Sequence, residues 1–109
     1  MTYIGEFREL KHGDPSGPSL KEAVRPQGDP DEAHLVKYLL GGTVYAAAPG
    51  MVQDMLNPAQ PIIGALTVLT DGKYKWYSDL AHYVLQYHIA LDPKFVEHAR
   101  RNNWTIPAG

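Results

Sequence analysis

The chain has 109 residues, 44% of them hydrophobic and 20% charged, which suits one globular domain and is short for two. Ten basic and twelve acidic residues leave a formal net charge of −2, which disfavours nucleic-acid binding driven by phosphate neutralisation. There is no cysteine, and this excludes disulfides, thiolate nucleophiles and cysteine-ligated metal centres.

The opening residues MTYIGEFREL lack the basic and apolar regions of a signal peptide. No apolar run approaches the length of a bilayer span. A soluble, cytoplasmic protein without a membrane partner is expected. Tyr3, Ile4, Phe7 and Leu10 fit a short strand or an irregular lead-in. Residues 11–31 then carry four prolines and three glycines with few large apolar side chains. Such a stretch buries too little surface to offset its ordering entropy alone, so an arm within the single 1–109 domain is predicted. One helical turn is expected at Ser19–Val24, with Ser19 capping and Glu22 three residues later.

A longer helix follows. Asp29 is a capping residue, Pro30 suits the first helical position, and Asp31 and Glu32 favour the positive end of the dipole. Leu35, Tyr38 and Leu39 mark one apolar face, and Gly41-Gly42 ends the helix. Thr43–Ala48 reads as a strand stopped by Pro49-Gly50. Residues 49–61 read as a loop made unusually apolar by Met51, Val52, Met55 and Leu56.

Ile62–Thr70 and Lys73–Tyr77 read as a hairpin around Asp71-Gly72, a pair that tolerates the positive φ of a two-residue turn. Thr70 opposite Lys73 places Leu69 opposite Tyr74 and Thr67 opposite Trp76. Alternation then assigns Ile63, Ala65, Leu69, Tyr74 and Trp76 to a core face. Lys73, Lys75 and Tyr77 take the other face, beside Leu66 and Val68. Ser78 reads as the cap of a helix whose buried stripe is Leu80, Tyr83, Val84 and Tyr87. Asp92-Pro93 starts a last helix with Phe95, Val96 and Ala99 inward, ended by Asn102-Asn103, with Trp104 and Ile106 folding back.

The predicted fold class is α+β: a small antiparallel sheet of about three or four strands with two or three helices packed on one face.

Chemical motifs are sparse. His12, His34, His82, His88 and His98 form no compact metal-binding spacing, so no metal site and no cofactor are predicted. No nucleophile elbow or phosphate loop occurs. Asp71 and Asp79 have sufficient roles at a turn and a helix start. Asp71, Gly72, Trp76, Ser78 and Tyr83 are read as structural. The patch that invites a partner is aromatic and basic: Lys73, Tyr74, Lys75 and Tyr77, with Leu66, Val68, Met51 and Met55 as apolar neighbours.

Four segments carry a resemblance: YIGEFREL at Tyr3–Leu10, GGTVYAAAPG at Gly41–Gly50, LTDGKYKWYSDLAHYV at Leu69–Val84 and YHIALDPKFVEHARRNNW at Tyr87–Trp104. In these the chain resembles a group of short, mostly actinobacterial proteins that have no assigned activity. That group usually has proline before the serine of the helix start. Here Tyr77 takes the place, which leaves Ser78 to cap unaided. Some small proteins of this kind look like immunity proteins, which neutralise a toxin by binding it. The resemblance therefore implies a non-enzymatic protein-binding module, an immunity- or antitoxin-like inhibitor of a partner protein, and it carries over no active-site residue.

Two alternatives stand beside that reading. One is a small hydrolase or ligand-binding enzyme using Asp71, Asp79, His82 or His88. The other is a structural subunit that self-associates through the Leu66, Val68 and Tyr77 face or the Met51–Leu56 loop.

Overall fold

The computed structural model describes residues 1–108. Strand β1 (Thr2–Tyr3), helix α1 (Leu20–Ala23), helix α2 (Glu32–Leu40), strand β2 (Thr43–Gln53), strand β3 (Ile62–Thr70), strand β4 (Tyr74–Tyr77), helix α3 (Leu80–Tyr87) and helix α4 (Pro93–Arg101) follow in chain order. The strands form one sheet in the order β1-β4-β3-β2. The fold is α+β, as the sequence predicts. The sheet is mixed rather than wholly antiparallel, because β1 pairs parallel with β4, Thr2 against Tyr74 and Tyr3 against Lys75.

One face of the sheet is covered. Trp76 is fully buried. Its ring meets Tyr38 of α2 and Phe95 of α4, with centroids 6.2 and 5.4 Å away. Its indole N–H donates to the Leu39 carbonyl at 3.1 Å. That bond satisfies the polar atom a buried indole brings with it. Leu35, Val36, Tyr38 and Leu39 of α2 and Leu80, Ala81, Tyr83 and Val84 of α3 complete the interior with Phe95 and Ala99.

The hairpin differs from its predicted register. Thr70 lies opposite Lys75, Leu69 opposite Trp76 and Val68 opposite Tyr77. The reversal is wider because the Asp71 carboxylate accepts the backbone N–H groups of Lys73 and Tyr74 at 2.9 and 2.7 Å. The Thr70 hydroxyl also bonds across it, donating to the Tyr74 carbonyl and accepting from the Gly72 N–H. Gly72 takes a φ of +97°, as the turn requires. The slip is two residues, an even number, so Leu69, Tyr74 and Trp76 keep their predicted core face, whereas Ala65, also assigned to the core, is exposed.

Three other expectations are corrected. Strand β2 does not stop at Pro49-Gly50 but continues to Gln53, with register shifts between Val44 and Ala46, Ala47 and Met51, and Val52 and Gln53. Pro49 has no N–H to offer a ladder and Gly50 adopts φ +106°, so the pair forms an irregularity that pairing resumes beyond. Helix α2 starts at Glu32, after a turn in which the Glu32 N–H donates to the Asp29 carbonyl. Ser78 does not cap α3. Its hydroxyl donates to the Ala65 carbonyl and accepts from the Thr67 N–H, tying the end of β4 to β3.

The Pro/Gly-rich arm lies on the domain. Ile4, Phe7, Leu10 and Leu20 join the core, each at most 6% exposed. The Glu9 carboxylate holds the arm by accepting from the Leu20 and Lys21 N–H groups and the Ser19 hydroxyl. Burial works against that charge, but these bonds outweigh it and bring the carboxyl down to about 2. Ser19 caps α1 as predicted, accepting from the Glu22 N–H.

Candidate functional site

The second face of the sheet carries an array of rings and one cation. Parallel pairing of β1 with β4 places Tyr3 beside Lys75. The Lys75 ammonium sits 4.2 Å from the centre of the Tyr3 ring and 5.3 Å from that of Tyr45 on β2. Tyr3 stacks on Tyr77 at 5.2 Å with planes 15° apart. His12, from the arm, closes the row with its ring 4.3 Å from Tyr77. The Tyr77 hydroxyl is pushed up from its ordinary range by burial first, then by Tyr3 and by the charges of Glu6 and Asp79.

The predicted patch is divided by the pleat. Lys75 and Tyr77 belong to this array, while Tyr74 faces the covered side, edge-on to Phe95 at 5.2 Å and to His98 at 5.3 Å. The Lys73 ammonium lies over the Tyr74 ring, at the turn. Val68 is 6% exposed and offers no surface of its own. Tyr3, Tyr45 and His12 complete the array yet carry no local signal. Only the strand pairing and the path of the arm bring them in.

Next to His12 is a cavity of about 250 Å³ between the arm and β2. The remaining predicted contact residues, Leu66, Met51 and Met55, form apolar walls together with Val52. Its polar side is Asp79, whose carboxylate is 2.7 Å from the His12 Nε2. Asp79 occupies the cap position of α3 but makes no capping bond with its side chain. Lys11 and Gln53 also line the opening.

Three further histidines meet carboxylates. His82 Nε2 lies 2.7 Å from Asp54, which also accepts the Tyr87 hydroxyl at 2.8 Å and the N–H groups of Leu56 and Asn57. Burial alone raises the Asp54 carboxyl, but the bonds from His82, Tyr87 and Leu56 outweigh it and hold it below the usual carboxylate range. The Tyr83 hydroxyl sits next to this loop, donating to the Gln53 carbonyl and accepting the Met55 N–H. Burial, reinforced by the charges of Asp79 and Asp54, pushes it up to about 12. Asp71 receives the Tyr38 hydroxyl at 2.7 Å and lies 3.3 Å from His98 Nε2. His88 meets Glu32 at 2.8 Å. His34 instead stacks on Trp104, with centroids 5.9 Å apart.

Asp71, Asp79, His82 and His88 therefore enter four separate networks, and no two of them share a partner. Among the described residues no three acidic or histidine side chains are grouped to hold a metal ion. No helix among them is long and apolar enough to cross a membrane. No protein-family model, curated protein or solved structure matches the chain.

Proposed function

We propose that the chain is a protein-binding module that acts by occupying a partner's surface, in the manner of an immunity protein or antitoxin, and performs no catalysis of its own. The observation that supports this is the Tyr45–Lys75–Tyr3–Tyr77 array on the face of the sheet opposite Trp76. Tyrosine and a stacked cation combine contact area with polar tips, the composition found at the centre of protein interfaces. A stable interface covers about 800 Å² per partner. That is roughly an eighth of this chain's 6361 Å², more than four side chains present. The exposed Met51, which lines the cavity beside His12, extends the surface.

The test is affinity capture from the source cell, with identification of the bound protein and an assay of its activity. Wild-type chain is expected to capture one protein and inhibit it. The doubly substituted Lys75→Glu, Tyr45→Ala chain is expected to fold normally and lose both effects. Undiminished capture by that variant removes the array from the interface. A captured protein whose activity is unaffected removes the inhibitory role.

A further inference from the structure

The cavity beside the array has a lopsided chemistry. Its walls at Met51, Val52, Met55 and Leu66 are apolar, and its polar side ends at Asp79 and His12. The Asp79 side chain is 2% exposed, and among the described residues His12 is the one group that hydrogen-bonds to it. An ionised carboxylate can accept about four such bonds. Because an ionised carboxylate can only accept, His12 Nε2 is the donor in the 2.7 Å contact. His12 Nδ1 is buried and has no hydrogen-bond partner among the described residues. The site is thus short of hydrogen-bond donors, and a nearly buried carboxylate with one bond is left underpaired.

We infer that this cavity is a socket for a basic side chain, lysine or arginine, presented by the partner protein. The inference rests on the protein-binding reading above. A lysine side chain is an apolar stem with a head of three donors, and arginine a similar stem with five. The stem matches the methionine and leucine walls, and unbranched methionine side chains adapt to its path. The head meets the carboxylate. A phosphate or carboxylate ligand brings acceptors and negative charge to a polar side that already ends in the Asp79 carboxylate. The socket is continuous with the array, because the His12 ring that bonds Asp79 also lies against Tyr77. Among the described residues Lys11 is the one like charge at the opening; it is exposed, and its flexible stem lets the ammonium turn outward.

The test needs no partner. The protein, labelled at its methionine methyl groups, is titrated at neutral pH with n-butylammonium chloride and, separately, with n-butanol. Saturable shifts at the Met51 and Met55 methyls are expected for the ammonium, with binding at least about tenfold weaker for the alcohol. Asp79→Asn is expected to lose the preference for the ammonium, and Lys11→Gln to strengthen its binding. Should Asp79→Asn fail to fold, Met51→Trp narrows the mouth at an exposed position and is expected to abolish the shift at the Met55 methyl. Equal binding of alcohol and ammonium, unchanged binding by Met51→Trp, or no saturable shift overturns the socket. Such a result leaves the capture experiment with Lys75→Glu and Tyr45→Ala standing. Failure of the wild-type chain to capture any protein, with ammonium binding intact, overturns the protein-binding reading instead.

Discussion

Strand β4 carries two different surfaces on alternate residues. Tyr74 and Trp76 face the helices, where every polar atom of the indole is accounted for and rings meet edge to face. Lys75 and Tyr77 face the other way, where rings stack flat beneath an ammonium and remain partly exposed. The first arrangement excludes water and holds the fold. The second leaves aromatic area and a cation available to another molecule. Neighbouring residues of similar size thus differ in role by the pleat alone.

The sharpest way to break this contrast is Trp76→Ala, expected to cost about 3–5 kcal/mol in chemical denaturation because the ring is fully buried. Asp71→Ala comes next. It strips the acceptor from the Tyr38 hydroxyl and from two backbone N–H groups, and a loss of about 2–3 kcal/mol is expected. Gly72→Val forces a β-branched residue to positive φ in open space, so backbone strain alone should cost about 1–2 kcal/mol. No change in the urea midpoint would contradict the turn geometry.

Acid provides a smaller perturbation. Glu9 has a folded value near 2 against an ordinary 4.5, so its contribution is present in full above about 4.5 and is lost as the pH falls towards 2. Glu9→Gln is expected to flatten that part of the stability–pH curve by about 1 kcal/mol, solvent screening included. Lys73→Glu with Lys75→Glu should move stability by less than about 0.5 kcal/mol. Partner capture should be lost all the same, and it is this dissociation of the two readouts that separates the faces.

Much of the fold is legible in local pattern. The apolar stripes of α2, α3 and α4, the Ser19 cap and the face assignment of the hairpin all follow from periodicity and residue type. The observed register differs by two residues because the Asp71 side chain replaces backbone groups in the turn, which alternation cannot reveal. Pro49-Gly50 reads as a stop, but a pairing strand tolerates it as an irregularity. The cavity was less legible still. His12 and Asp79 are separated by 67 positions, and the arm that carries His12 has the composition of a linker. Its hold on the domain comes from Leu20 and from the Glu9 carboxylate just before the arm, neither of which shows a period.

The broken register of β2 has a consequence for self-assembly. This outermost strand displays Val44, Tyr45 and Met51 and has no charged residue between Lys37 and Asp54 to repel a newcomer. Fibril growth needs an uninterrupted row of backbone rungs, and three shifts and a proline deny it. The chain can therefore leave apolar side chains exposed at its border without serving as a template for its own polymer.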